Sequence, residues 1–491
     1  MKLAEYPHVL PPFSHQDDHL RNNAHKRAWG LLWEQGTAKT KPVIDTMCLL
    51  YANDRADGLV VVAPPGVERN WETDEISAHM PPEFKEQTRI EVFRTKKKGT
   101  KAHKAKMNEI CYHKGLAVLL ISYNAYMTDA GKEAVKKFLL KRRAMMVLDE
   151  AHNIKSPGAK RTLSLCRVAP LAQYRRILTG TPVAQGPFDI YSQIRFLDQN
   201  FWKDRGIGGA VEFRQYFGEW LTRADVQARL GYDPGYDKLI RYKNVEQLKE
   251  WLSEISDRYL KDEVLDLPPK LYSKRYVEMS NLQRDLYEQM MEELWVEIRS
   301  GEIIEGQLPI VKLLRLQQIL CNYLPTEDDE EPTVRLEGTN PRLKAMEQIR
   351  DETHHPCLVW ARFRDDVNQL MDLLGDEAVR YDGAVDEDEA ERNKQAFQAG
   401  DAKWFVGTAA KGGPGLTLNQ AKTVIYYSNS FKLIDRLQSE DRAHRAGMDE
   451  HPVNYIDLAV PDTIDEKIIF NLRDKVDIAS QVTGDNLKEW I

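Results

Sequence analysis

Short apolar runs, spaced so that a helix fits between neighbours, constrain this chain more than any other feature. In the first half they are Leu59 to Ala63, Ala117 to Ser122, Ala144 to Leu148 and Arg176 to Thr179, rich in β-branched residues and each ended by a turn signal. Runs of that length without polar alternation fit strands buried on both faces, as in a parallel sheet. Between them lie segments long enough for crossover helices, such as Asp45 to Ala52 and Ala134 to Arg142. Parallel strands need such crossovers, so the alternation predicts a doubly wound α/β lobe.

The pattern changes between about residue 200 and about 345, where amphipathic stretches predominate: Val245 to Tyr259, Asn281 to Ile298 and Leu308 to Leu320. These predict helical insertions rather than sheet. Strand-like runs resume at Cys357 to Trp360, Trp404 to Gly407, Thr423 to Tyr427 and Val453 to Leu458, and predict a second α/β lobe. A length of 491 residues agrees, because one core stops growing at roughly 250 to 300 residues. Leu267-Pro268-Pro269 is the best connection between the halves.

The net charge of -7 argues against a passive polycation that coats nucleic acid, so any such site must be local. The clearest basic stretch is Arg94, Lys96, Lys97, Lys98, Lys101, Lys104 and Lys106, either a solvated loop or a phosphate contact. The five cysteines are widely spaced, without a C-x-x-C pair, and read as reduced, buried thiols. No run of about 18 apolar residues is present, and Met1 to Glu5 lacks the apolar segment of a secretory signal, so an intracellular, non-membrane protein is expected.

Three constellations carry chemistry. Gly36-Thr37-Ala38-Lys39-Thr40 is a glycine-containing turn ending in Lys-Thr ahead of a helical stretch from Val43. A phosphate-binding loop has this order: backbone N–H groups cradle the phosphates, Lys39 neutralises β/γ charge and the Thr40 hydroxyl holds Mg²⁺. Asp149-Glu150-Ala151-His152 follows the apolar run 145–148, and two acids at a strand's C-terminal edge suit Mg²⁺ support by Asp149 and orientation of the attacking water by Glu150. Gln438-Ser439-Glu440-Asp441-Arg442-Ala443-His444-Arg445 puts Arg442 and Arg445 three apart, on one helix face, where guanidinium groups could meet a γ-phosphate.

With their surroundings these residues resemble the Swi/Snf family of helicase-like ATPases in helicase superfamily 2, along nearly the whole chain. Gln16 after Pro12-Phe13 is similar to the family's adenine-reading glutamine. Val60 to Pro64 with Asn70-Trp71 and Glu75 resembles motif Ia, Ile121-Ser122-Tyr123 motif Ib, and Leu178-Thr179-Gly180-Thr181-Pro182 motif III. Asp262-Glu263-Val264 with Leu267 to Lys270 is similar to the inter-lobe segment, and Leu314 to Gln318 to the second helical insertion. Val359-Trp360 with Phe363 stands at motif IV, and Gly407-Thr408 through Gly412 to Leu416 at motif V. The departures are Ala38 for the loop glycine, Gly186 where asparagine is common, and Pro414 among the motif V glycines.

The resemblance implies two RecA-like parallel-sheet lobes of the P-loop class with helical insertions. Residues 1–200 form the ATP-binding lobe, 201–266 its insertion and a linker, 267–345 the linker and insertion of the second lobe, and 346–491 that lobe. It implies ATP and Mg²⁺ as cofactors, with Gln438 joining Gln16 and residues 36–40 at the nucleotide. It also implies duplex DNA as partner, through Asn70, Trp71, Ser122, Tyr123, Thr408 and Lys411 with Lys97 and Lys101, and a cytoplasmic or nucleoid-associated location. The expected activity is DNA-dependent ATP hydrolysis that drives translocation. A nucleotide-gated clamp without useful turnover, an RNA-directed motor and a strand-separating helicase stay open as alternatives.

Overall fold

The computed structural model describes residues 1–95, 100–230, 237–300, 308–325, 333–411, 416–445 and 447–483. In chain order its strands are β1 (Ala28–Leu31), β2 (Gly58–Ala63), β3 (Thr88–Val92), β4 (Leu116–Ser122), β5 (Ala144–Asp149), β6 (Tyr174–Leu178), β7 (Gly218–Leu221), β8 (Lys238–Tyr242) and β9 (Ser256–Asp257). There follow β10 (Lys270–Tyr276), β11 (Tyr323–Pro325), β12 (Thr333–Arg335), β13 (Cys357–Ala361), β14 (Ala378–Tyr381), β15 (Trp404–Thr408), β16 (Thr423–Tyr426) and β17 (Val453–Ala459). The chain divides into two compact units: Met1–Phe217 with Lys243–Asp266 and a short piece from Ile478, and Gly218–Tyr242 with Leu267–Asp477.

The first unit is built on a seven-stranded sheet of order β3-β4-β2-β5-β6-β1-β9, parallel throughout. Successive residues of its central strands point to opposite faces, so each strand feeds two cores. Val60, Val62, Leu119, Ile121, Met146 and Leu148 pack on one face. Leu59, Val61, Val118, Leu120, Met145 and Val147 pack on the other, against Val43, Ile44 and Met47 of the helix Thr40–Ala52. This is why β2 carries no polar side chain, and β4 and β5 none before their last residues, Ser122 and Asp149.

The second unit has a six-stranded parallel sheet of order β10-β17-β16-β13-β15-β14. Helices Asn281–Ser300 and Leu308–Leu320 add a further core in which Tyr287, Leu316, Ile319 and Leu320 meet Leu433, Ile464, Ile468 and Leu472. The fold class is therefore α/β, two parallel-sheet lobes with added helices.

The expectation of helix without sheet between 200 and 345 is corrected. The predicted helix 245–259 stops at Ser253, and β9 then pairs with β1. The stretch also holds the antiparallel pairs β7–β8 and β11–β12, and β10, which runs beside β17 from Lys270↔Val453 to Tyr276↔Ala459. These strands are short or lie at sheet edges with exposed polar positions, so no continuous apolar run announces them. All five cysteines are buried and unbonded. Among the described residues no helix is long and apolar enough to cross a membrane.

Candidate nucleotide site and surfaces around it

Gly36 to Lys39 leave the C-terminal end of β1 and enter the helix Thr40–Ala52. That helix has no acid in its first turn and no side-chain cap from Lys39, so its leading N–H groups are left for a ligand. The loop is tied down from behind by the helix Ser14–Asn22. His15 Nε2 lies 3.0 Å from the Thr37 carbonyl, and Gln16 Nε2 donates to the Ala38 carbonyl at 2.9 Å while Gln16 Oε1 accepts from Phe13 N at 2.9 Å. The Thr37 hydroxyl donates to the Glu34 carbonyl at 2.7 Å, and the Lys39 ammonium donates to the carbonyls of Trp33 (3.0 Å) and Glu34 (2.8 Å).

Ala38 holds φ at +55°, the left-handed region that favours glycine. The departure seen in the sequence thus falls on a position where a Cβ is strained. The backbone keeps the loop's turn although the residue is unsuited to it.

Asp149 ends β5, two strands from β1 across β6. Its Oδ2 accepts from the Trp71 indole at 2.9 Å and its Oδ1 from Glu150 N at 2.9 Å. Burial, then the neighbouring Glu150 carboxylate, push the Asp149 carboxyl up to about 6, while the Trp71 indole, the Lys39 ammonium and the Glu150 N–H pull the other way. Lys39 and Asp149 therefore act on one another electrostatically at one edge of the sheet. Glu150 is itself left-handed at φ +50°, and its carboxylate lies 3.3 Å from His152 Nδ1. The same imidazole nitrogen lies 3.4 Å from Thr179 Oγ1, which accepts from Thr181 N at 3.2 Å. His152 thus spans the acid pair and the turn after β6.

The loop's other support comes from far along the chain. Residues 255–259 zip onto β1: Gly30 N donates to the Ile255 carbonyl (2.9 Å), Leu32 N to that of Asp257 (3.0 Å) and Glu34 N to that of Tyr259 (2.9 Å). The Asp257 carboxylate accepts from the Trp33 indole (2.7 Å) and Asn23 Nδ2 (2.9 Å) and lies 3.2 Å from His19 Nδ1. Sequence reading missed Asp257 because its partners lie more than 220 residues away, and no local pattern marks it.

Several residues expected on nucleic acid lie elsewhere. Trp71 and Tyr123 are each 1% exposed, and Trp71 donates to Asp149 Oδ2 while the Tyr123 hydroxyl donates to the Asp149 carbonyl at 2.9 Å. Both are corrected to supports of the acid strand, because a buried ring committed to that strand offers no surface. Ser122 is buried and caps the next helical turn, its Oγ accepting from Ala125 N at 3.2 Å. Asn70 is half-buried and Lys101 exposed, while Lys97 falls outside the described residues.

In the second unit Thr408 ends β15, and the Lys411 ammonium donates to the carbonyls of Asp382 (2.5 Å) and Val385 (3.0 Å). Gly412 to Gly415 fall outside the described residues. Gln438 is buried in the helix Leu433–Glu440. The expectation that Arg442 and Arg445 share a helix face is corrected, since that helix ends at Glu440 and both arginines follow in a turn. They still reach one segment: Arg442 Nη1 donates to the Leu416 carbonyl (3.0 Å) and Arg445 Nη1 to Thr417 Oγ1 (2.8 Å).

A loop with Lys-Thr at a helix start, an Asp-Glu pair on a nearby strand end and two parallel α/β sheets define a helicase-like ATPase of the P-loop class. The SNF2-related domain matches residues 20–323 and the helicase conserved C-terminal domain residues 341–447. This chain belongs to the SNF2-related family. It is 26% identical over 394 residues to nuclear protein STH1/NPS1 of Saccharomyces cerevisiae, covering 74% of this chain and 27% of that one. It is 24% identical over 470 residues to the chromatin structure-remodeling complex subunit snf21 of Schizosaccharomyces pombe, covering 91% and 37%. The chain thus spans only 27% to 37% of the length of these relatives. A solved Sulfolobus solfataricus SWI2/SNF2 ATPase core in complex with dsDNA is 22% identical, with 99% of this chain and 96% of that one covered and a TM-score of 0.43.

Proposed function

We propose that this protein is a DNA-dependent ATPase and double-stranded DNA translocase, hydrolysing ATP with Mg²⁺ to move along or remodel DNA or protein–DNA complexes. The observation that carries the reading is the gathering of Lys39, Asp149 and Glu150 at one edge of the first sheet, with Lys39 acting on the Asp149 carboxyl. In this reading the N–H groups of residues 36–40 and Lys39 hold the β- and γ-phosphates, and Glu150 orients the attacking water. Arg442 and Arg445 supply positive charge to the transferred phosphate. Gln438 stands with them at the nucleotide. Gln16 retains one N–H and one lone pair for an adenine ring beyond its two backbone bonds.

The residues also fit Mg²⁺. Among the described residues no group of three or more His, Cys, Asp or Glu could hold a metal by itself. Magnesium beside nucleotide phosphates needs only one or two protein ligands with water, and the Thr40 hydroxyl and the Asp149 carboxylate suffice. When bound, the ion would neutralise charge on the phosphates.

Family membership supports DNA as the track, with Asn70, Lys101 and Thr408 as candidate contacts. Movement without strand separation is supported by the interval from Asn419 to Gln438. Its described elements are β16 and the start of the helix Leu433–Glu440, which leaves no room for a wedging hairpin. Steady-state ATP hydrolysis with duplex DNA, single-stranded DNA and RNA tests the track, and strand displacement from a triplex tests movement. Stimulation by duplex with triplex displacement and an intact fork is expected. Efficient fork unwinding without triplex displacement, or no response to any DNA, would reject the reading.

A further inference from the structure

The first unit carries a group of cations that the nucleotide site does not use. The loop Lys155-Ser156-Pro157-Gly158-Ala159 leads into the helix Lys160–Val168. On one side of it is an open cavity of about 460 Å³ lined by His152, Asn153, Lys155, Ser156 and Arg161. On the other is one of about 380 Å³, lined by Pro157 and Gly158 together with Arg195, Gln199, Asn200 and Lys203. Adjacent loop residues line different cavities, so the loop is the ridge between them.

We propose that this ridge and its two cavities seat the sugar-phosphate backbone of nucleic acid. The inference rests on the motor reading but on none of the residues that the sequence offered for nucleic acid. The cations are unspent: Lys155, Lys160, Arg195 and Lys203 have no carboxylate within ion-pair distance, and Arg161 donates only to the amide oxygens of Asn124 (3.0 Å) and Asn153 (3.4 Å). In a chain with more acids than bases, such a group is selective rather than incidental.

The nearby acids are occupied. Asp189, which interacts electrostatically with Lys155 and His152, is buried and accepts from Ala184 N (3.1 Å) and Gln185 N (2.8 Å). Asp198 accepts from Asn200 N at 2.9 Å, and Glu212 accepts from Gly208 N. The helix Lys160–Val168 adds to the positive field, having no acid in its first turn and no side-chain cap.

The chemistry favours a run of phosphates over a single anion. The cations are spread along a ridge with a cavity on each flank, and the other polar lining groups are amides, a hydroxyl and glycine backbone, which suit phosphate and sugar oxygens, beside apolar residues such as Met127, Ala159 and Ile207. Trp202 and Tyr191, the aromatic residues of the second cavity, are buried and offer no face for a base to stack on. Contact here is therefore independent of base sequence. His152 also makes the seat a neighbour of the acid pair, since it lines the first cavity and lies 3.3 Å from Glu150.

The test uses the full chain, with Lys155→Glu/Lys160→Glu as the main variant because neither ammonium makes a bond that the fold would lose. Arg195→Gln/Lys203→Gln addresses the second cavity. Anisotropy of a labelled duplex over a salt series gives affinity and salt slope, and ATP hydrolysis against duplex concentration gives half-activation. The first variant should weaken binding about tenfold or more and lower the salt slope by about two, with half-activation moving in step. The second should lower the slope by about two as well. Unchanged affinity and slope in both variants, where the parent protein binds and responds to duplex, would overturn the seat alone. Millimolar tripolyphosphate displaced from the ridge by neither duplex nor single strand would also overturn it, by marking a free-anion site. A parent protein that responds to no nucleic acid would instead overturn the motor reading.

Discussion

Replacing Trp71 by Phe separates two roles for one residue. The indole N–H donates to Asp149 Oδ2 at 2.9 Å, and the ring is 1% exposed. A hydrogen bond to a charged group contributes about 1.5 to 3 kcal/mol. At about 1.4 kcal/mol per pKa unit, its loss raises the Asp149 carboxyl by a further one to two units above its value of about 6. A cation that needs the ionised form then competes with the proton, a penalty that approaches about tenfold to a hundredfold in affinity below roughly pH 6 and shrinks to at most about fourfold near pH 7.5, so the assay is run at both. Hydrolysis measured against free Mg²⁺ at saturating ATP should show half-activation displaced upward by that factor, with duplex affinity unchanged. Phe also leaves some space, so a thermal melt accompanies the assay, and about 1 to 3 kcal/mol of lost stability is expected from the smaller ring. Mg²⁺ dependence unmoved while duplex affinity falls would refute the reasoning and return Trp71 to the nucleic acid.

Glu150→Gln should keep ATP binding, read by a fluorescent nucleotide, and lower turnover by at least about two orders of magnitude; near-parental turnover would remove Glu150 from the reaction. Ala38→Gly exchanges about 1 to 2 kcal/mol of left-handed strain for a similar loss through a freer unfolded chain, so its melting should stay within about 1 kcal/mol of the parent. Ala38→Val, β-branched at φ +55°, should lose about 2 kcal/mol or more, and equal melting of the two variants would contradict the strain. Asp366 is fully buried, accepts from Ser428 Oγ at 2.6 Å, and is pushed by burial from 3.8 to about 7. A carboxyl raised on folding stabilises the fold fully below its unfolded pKa and progressively less as pH rises to the folded one. The second unit should therefore lose about 4 kcal/mol between roughly pH 4 and 7 on this account, and Asp366→Asn should flatten that part of a denaturant-melt pH profile.

What could be seen in the sequence follows from where each strand lies. The central strands β2, β4 and β5 are covered on both faces, so they are apolar up to the ends of β4 and β5 and the run stands out. The strand β3, Thr-Arg-Ile-Glu-Val, and the strand β10, Lys-Leu-Tyr-Ser-Lys-Arg-Tyr, border their sheets and keep polar side chains on half-buried positions in β3 and on half-buried or exposed ones in β10. Their pattern cannot be told from a polar loop. The candidate nucleotide site divides likewise. Residues 36–40 and Asp149-Glu150 are contiguous and readable, because backbone cradle and acid pair are local devices. The Trp71–Asp149 bond spans 78 residues and the Trp33–Asp257 bond 224, and only the folded sheet joins them. The arginines after Gln438 were legible as charges but not as a turn, since Gln438 to Arg445 contains neither glycine nor proline to end a helix.

The pairing of residues 255–259 with β1 sets an order of events on the ribosome. β1 is translated early, yet the segment that covers its outer edge is made more than two hundred residues later. Until then Trp33, Asn23 and His19 have no Asp257 to bond, and β1 presents an open edge that another chain could pair with. A fragment ending near residue 200 would contain Lys39, Asp149 and Glu150 and still lack the backing of the loop between them. On the proposed reading, nucleotide binding is then acquired late in synthesis, once residue 259 has emerged and the strand beneath the candidate phosphate loop is sealed.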